Sequence, residues 1–466
     1  MKSKLLPLLL LGLTACQSQP SLMQSMAPVQ TNLTVTGIQA QTPASTAQTQ
    51  VYLETSKPIE NEVIVKYRPG FRTQAVPMGA EVLDTFNTSD ETTQLHRISK
   101  KTNLQQALAS YQADPSVEFA IPNLNFKVQM SLLEKVKKYF GRSTEETSAK
   151  AMPVNTRYTA SSETEPVQVR AEDPLAGDQW YLNALHMPEV WTQTGLGNAA
   201  VTVAVLDTGV DYDHPDLQGR VIKGADYVDK DYEPKDMHGH GTHVAGIIAA
   251  QMNNSEGVTG LAPQVKIMAV RVLDANGSGS LFTIAKGIAY AANNGAKVIN
   301  LSLGSPPGGG VMRTLANFLA GYAERKGALI VAAAGNDGGA IGYPAAASKF
   351  LCVGAINQQN QLASFSNRGA ELDVVAPGVG ILSTFPTYEV TANKMGLPQK
   401  YATLNGTSMA TPMVSAQAAL IWSLHPYLSP AEVREKIEST AIDLGAVGRD
   451  DQFGNGLVSF DNALRN

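Results

Sequence analysis

The sequence predicts an α/β fold, a doubly wound and mostly parallel sheet, preceded by a small α+β module. Two observations carry this. From Asp173 onward, short apolar runs that do not alternate with polar residues take turns with longer segments of helical character, separated by glycine-rich turns. Ahead of them, residues 57–128 hold a separate, smaller set of strand and helix patterns. A chain of 466 residues has room for two or three domains and a large core.

In the first module, residues 62–67 read as a strand closed by Pro69-Gly70, residues 104–111 as a short helix, and residues 117–120 as another strand that Pro122-Asn123 ends. In the second, residues 201–206, 265–272, 298–301, 329–334 and 351–355 are apolar enough for central parallel strands. Residues 285–293 and 315–326 fit the helices between them. The apolar run 413–422, with no charge until His425, predicts a buried helix that starts at or just before Ser408. In such sheets a site forms outside the carboxyl ends of the strands.

At the N-terminus, Lys2 and Lys4 precede an apolar run over residues 5–13 that is too short to span a bilayer and reads as a secretory signal. It ends in Leu13-Thr14-Ala15-Cys16, which resembles a bacterial lipobox with Cys16 as the lipidated residue. The alternative is an ordinary signal cleaved near Ala15. Gln17, where a retained inner-membrane lipoprotein typically carries Asp, points to the outer membrane or the outer face of the cell. The expected organisation is a signal over 1–15, a flexible Ser/Thr/Gln/Pro tether over 16–56, the small module over 57–128, a linker over 129–172 and the large domain over 173–466. The basic stretch 132–140 reads as a solvated helix face. With 43% apolar and 17% charged residues and a net charge of −5, no global basic field argues for nucleic acid. The two cysteines, Cys16 and Cys352, make no disulfide framework, and Cys352 sits in an apolar run as a small hydrophobe.

Three stretches point to chemistry. Leu206-Asp207-Thr208-Gly209 places an acid where an apolar strand meets a tight turn, which by itself is also a common turn-former. His238-Gly239-His240-Gly241-Thr242-His243 opens a helix, and its spacings do not bring all three imidazoles to one helix face as a metal site requires. Asn405-Gly406-Thr407-Ser408 places a hydroxyl at a helix N-terminus, where it is either a cap or a nucleophile beside free backbone N–H groups. Asp207, His240 and Ser408 together follow the chain order Asp, His, Ser that distinguishes subtilisin from chymotrypsin and the α/β-hydrolases.

With these motifs the chain resembles the subtilisin-like serine proteases, and within them the thermitase-like branch, from Asp173 to the C-terminus. The module before it, from Asn61-Glu62-Val63-Ile64-Val65 to Pro122-Asn123, looks like the family's inhibitory propeptide. The resemblance implies that Ser408 attacks the peptide carbonyl, His240 moves the proton and Asp207 orients the imidazole. Ala332-Ala333-Ala334-Gly335-Asn336 resembles the segment whose asparagine amide, here Asn336, meets the oxyanion. Gly277, Ser278 and Gly279, with Ser302, Leu303 and Gly304, resemble the edges that pair with extended substrate. Ala333, Ala334 and Gly335 wall the primary pocket, with Gly342 near its floor and Asp337 at its rim, which implies large apolar residues before the cut.

It also implies structural calcium, held by Asp173, Asp216 and Asn254 side chains and by the Gln251, Glu256 and Val258 carbonyls. A second calcium is expected at Asp226, Asp229, Asp231 and Glu233, with Asp236 nearby and Lys235 where the branch has a neutral ligand. The expected protein is an exported, lipid-anchored, monomeric zymogen that acts on proteins and peptides, with its propeptide as internal inhibitor and chaperone. Processing is expected within 129–172. The readings left open beside it are a catalytically silent binding or adhesion protein on the same fold and a processing protease of narrow specificity.

Overall fold

The computed structural model describes residues 58–71, 76, 79–88, 91–128, 169–307 and 310–465. The expected signal, Cys16, the tether up to residue 56 and residues 129–168 of the linker lie outside the described residues.

The first module is an antiparallel sheet of β1 (Pro58–Tyr67), β2 (Glu81–Asn87), β3 (Thr92–Arg97) and β4 (Val117–Val128), with strand order β4-β1-β3-β2 and helix α1 (Leu104–Gln112) packed against it. Asn103 starts α1 by accepting from the Gln105 and Gln106 amides. Val63, Val65, Tyr67, Leu108 and Tyr111 close a small core between helix and sheet. The strand expected to end at Pro122-Asn123 instead runs on to Val128. Its second half is held by partner strands from the other module, which no local pattern in the sequence reveals.

The second module contributes β5 (Thr202–Asp207), β6 (Val221–Asp226), β7 (Lys266–Arg271), the short β8 (Ser278–Ser280), β9 (Val298–Leu301), the two-residue β10 (Leu303–Gly304), β11 (Leu329–Ala333), β12 (Leu351–Ile356) and β13 (Val374–Pro377). All except β8 and β10 form one parallel sheet in the order β13-β12-β11-β9-β5-β7-β6. β9, β11, β12 and β13 are buried at every residue, which is why they appear as unbroken apolar runs. The edge strand β6 mixes exposed Ile222 and Lys223 with buried Ala225, so it carries no such signal.

The helices are α2 (Trp180–Ala184), α3 (Met187–Thr194), α4 (His240–Ala249), α5 (Leu281–Asn293), α6 (Gly310–Arg325), α7 (Thr407–Leu424), α8 (Pro430–Ser439) and α9 (Phe460–Leu464). A hairpin of β14 (Ile381–Thr384) and β15 (Tyr401–Leu404) precedes α7. α4 and α7 pack on each other and on the sheet; α5 and α6 make a second such pair. From β5 the chain moves out to β6 and back to β7, then crosses to β9 on the other side of β5. The loops leaving β5 and β9 therefore diverge, and a crevice opens at the carboxyl ends of these strands.

The two modules are joined by more than β4. Lys66 is fully buried between Glu118 at 2.7 Å and Glu91 at 3.2 Å, with its ammonium 3.7 Å from the centre of the Phe318 ring on α6. Asp84 pairs with Lys286 of α5 at 2.6 Å, and the Phe86 and Phe282 rings meet at 5.4 Å.

His96 is fully buried in the first module, with Nδ1 2.7 Å from the Tyr111 hydroxyl and Nε2 2.9 Å from Gln94 Oε1. Burial pulls its pKa from 6.5 down to about 4. An imidazole neutral in the fold but protonated in the unfolded chain contributes stability that is whole above pH 6.5 and lost as pH falls towards 4. Hydrogen-exchange protection in β1 to β4 of a full-length Ser408→Ala precursor, taken relative to the intrinsic rate at each pH, should therefore fall as pH drops across that window, and His96→Gln should flatten the dependence.

Candidate active site

Asp207 is the last residue of β5, and His240 the first of α4, so the crevice receives a carboxylate from a strand end and an imidazole from a helix start. Both are fully buried, and Asp207 Oδ1 lies 2.8 Å from His240 Nδ1 while also accepting the Thr208 amide at 2.8 Å. A carboxylate can only accept, so Nδ1 carries the proton and Nε2 is the bare lone pair. That Nε2 is buried and has no partner. The approach of helix to strand depends on glycine. Gly239 has a φ of 110°, and a Cβ on it would stand 2.2 Å from the Phe385 ring. A Cβ on Gly241 would stand 2.1 Å from the Gly209 carbonyl.

Ser408 is the second residue of α7 and is fully buried. It does not cap the helix. Its hydroxyl donates to the Ser302 carbonyl at 2.8 Å, just past the end of β9, and is turned away from His240 Nε2. Pro412, lacking an N–H, releases the Ser408 carbonyl from the helix ladder, and Ser302 Oγ donates to that carbonyl at 2.9 Å. Asn300 donates to Ser302 Oγ and accepts from Ser415, so the serine is tied to its neighbouring strand from both sides.

Asn336 follows β11 at the same end of the sheet. Its Oδ1 accepts the Thr407 amide at 2.9 Å and hydroxyl at 3.0 Å, so it satisfies the helix start from outside. This fixes the amide orientation and leaves Nδ2 buried without a partner, an N–H donor held at the start of the serine helix. Asn367 holds the loop in place by accepting from Asp337 and Gly339 and donating to Ala334.

The two expected edges flank the crevice as β8 and β10, and the end of β4 lies between them. Phe126 and Lys127 are opposite Gly279 and Ser278, while Lys127 and Val128 are opposite Gly304 and Leu303. The Val128 amide donates to the Gly277 carbonyl at 2.9 Å. Ala333 ends β11, and Ala334 and Gly335 continue from it towards Asn336. Gly342 donates to the Ala334 carbonyl and packs on the backbone of Ser305, where a Cβ would be 2.2 Å from the carbonyl oxygen.

The histidines do not form a metal centre. His243 faces the Ile381 and Ala402 carbonyls at 3.1 and 3.0 Å, and burial pulls its pKa down to about 3. Among the described residues no group of three His, Cys, Asp or Glu side chains is arranged to hold a metal. In the second calcium set Arg271 binds Asp226 at 2.9 Å and also pairs with Asp229, Lys223 takes Glu233 at 2.6 Å, and Asp231 accepts the Glu233 amide.

The first calcium set differs. Asp173 accepts the Asn253 and Asn254 amides and the Thr259 hydroxyl, and Asp216 accepts the Val258 amide and Asn254 Nδ2. Both carboxylates are buried against neutral donors, and burial pushes the Asp216 pKa up. The Gln251 side-chain nitrogen donates to the Gln218 and Pro215 carbonyls. This oxygen-rich, anionic loop fits a hard cation.

Residues 198–456, more than half of the chain, match the subtilase family. The chain belongs to the subtilase family. Residues 44–123 match the fervidolysin N-terminal prodomain. The chain is 36% identical over 437 residues to a thermophilic serine proteinase of Bacillus sp. (strain AK1), covering 91% of this chain and 92% of that one. It is 45% identical over 287 residues to subtilisin Savinase of Lederbergia lenta, covering 61% of this chain and 98% of that one. Subtilisin E of Bacillus subtilis (strain 168) is 43% identical over 290 residues, covering 61% of this chain and 70% of that one. The protein is a subtilisin-like serine endopeptidase with an N-terminal prodomain. That closes the reading as a silent binding protein.

Sequence reasoning missed Thr208, Asp236, Ser302 Oγ, Asn367 and Thr407, which support this subtilase's site through hydrogen bonds. Only Thr407 and Thr208 had a signal, their adjacency to Ser408 and Asp207. Gly241→Ala forces the start of α4 off the β5 turn, and a displacement of about 1 Å costs about 100-fold in rate. Active-site titration with kinetics on the folded variant should show that loss in kcat.

Proposed function

We propose that this subtilase is made as a self-processed, exported zymogen whose Ser408, His240 and Asp207 hydrolyse peptide bonds, and that its own β4 occupies the substrate cleft until processing. The observation that carries the reading is the seat of Phe126, Lys127 and Val128 between the two edge segments, with Val128 opposite Leu303, the residue after the Ser302 that accepts from Ser408. An extended substrate adds in the same way, read through its main chain. The Ser408 hydroxyl turns from the Ser302 carbonyl to His240 Nε2, gives up its proton there and attacks the scissile carbonyl. The oxygen that gains the negative charge accepts from Asn336 Nδ2 and the Ser408 amide. On collapse, the proton on Nε2 passes to the leaving amine, and water then enters by the same route in reverse to release the acyl group. Asp207 keeps Nδ1 protonated and offsets the imidazolium charge throughout.

The walls formed by Ala333, Ala334 and Gly335 carry no charge, which supports a broad preference for large apolar side chains before the cut. The domain limits of the sequence reading are retained, with processing soon after Val128. Calcium, the family's structural cation, would be held by Asp173, Asp216 and Asn254 and by the Gln251, Glu256 and Val258 carbonyls, stiffening that loop. Cys16 supports a lipid anchor on the outer membrane or cell surface; among the described residues no helix is long and apolar enough to cross a membrane. A monomer acting on protein and peptide substrates, without nucleic acid, completes the reading.

Casein hydrolysis should be abolished by a serine-directed phosphonylating reagent, and Asn336→Ala should lower kcat by about 100- to 1000-fold, the loss established for this donor in subtilisin itself. Undiminished turnover in either case refutes the assignment. Because the acyl chains would sit on the prodomain side, fractionated cells should retain the Ser408→Ala catalytic domain in the membrane and release the wild-type one; equal retention counts against release by self-processing. Calcium at a hundredfold excess over its Kd should add about 2.7 kcal/mol of stability. A chelator should remove that increment, and Asp216→Asn should show none.

A further inference from the structure

We propose that Asp236 is a positioning residue of this protease: it holds the histidine helix in register with the strand end that carries Asp207. Expected beside an acidic surface loop, Asp236 is instead fully buried next to the active site. Its Oδ1 accepts from Thr208 Oγ1 at 2.8 Å, the His238 amide at 2.9 Å and the Gly239 amide at 2.7 Å. Its Oδ2 accepts from the Thr242 amide at 2.9 Å and the Thr242 hydroxyl at 2.7 Å. A carboxylate offers about four lone-pair directions, so these five donors saturate it and leave none for a metal.

The donors come from three places: the turn after β5, the His238-Gly239 approach to α4, and the first turn of α4. Thr208 closes the circuit. Its hydroxyl donates to Asp236 and accepts the Gly241 amide at 3.0 Å, while its own amide donates to Asp207 Oδ1 at 2.8 Å. One negative charge at a helix N-terminus, where the dipole favours it, thus fixes both partners of the Asp207–His240 hydrogen bond from behind. Asp236 acts through these groups, and its charge is what lets one small side chain gather five donors.

Asp236→Asn turns an NH₂ group towards at least two of those donors, and Thr208→Val removes the bridge while keeping the shape. The processed enzyme from the full-length chain is assayed per site titrated with a phosphonylating reagent. Both variants should lose about 10- to 100-fold in kcat with KM within about twofold, as a displaced but complete site does. Thr208→Ser, which restores the hydroxyl, should recover most of the loss. If Asp236→Asn fails to fold, the Thr208→Val and Thr208→Ser pair decides. A lower melting temperature with unchanged kcat per titrated site would assign these residues to stability alone and overturn the proposal.

Discussion

A carboxylate and an imidazole, both cut off from water and 2.8 Å apart, make the bond on which the rest of this molecule depends. Burial alone disfavours such a charge, and only a fixed set of donors makes it tolerable. The parallel sheet supplies the fixed end, since Asp207 terminates a strand that is buried from Val203 onward and flanked by β7 and β9. The helix supplies the other end, and Gly241, whose Cβ would strike the Gly209 carbonyl, lets it come close enough. Without that approach the hydroxyl on α7 would face no base.

The same economy governs the serine. Pro412 inside a helix is a defect in isolation, yet here it frees a carbonyl that Ser302 Oγ then uses. Asn336 plays two parts with one amide: its oxygen stitches down the start of α7, and its nitrogen is left unpaired for a charge that exists only during reaction. Two buried groups left without a partner, His240 Nε2 and Asn336 Nδ2, are the two that the chemistry uses.

The parallel strands, the helix at Ser408 and the Asp207, His240 and Ser408 set were legible because full burial leaves unbroken apolar runs and because catalytic chemistry restricts residue type at fixed turns. Strand β6 was not legible, since an edge exposes Ile222 and Lys223 and blurs the pattern. Nor was the far half of β4, whose partners lie more than 150 residues away in the chain. Counting Asp226, Asp229 and Glu233 suggests a cation site, while Arg271, which pairs with the first two, arrives from β7, and sequence proximity is blind to it. Asp236 belonged to that count by position and to the active site by structure.

Three residues in β8 and two in β10 are too few to persist as strands alone; they are ordered here because a third segment lies between them. Were that segment removed, as the proposed processing requires, the slot between them would present unpaired amides and carbonyls to any stretched peptide of suitable reach, a loop from a sister molecule included.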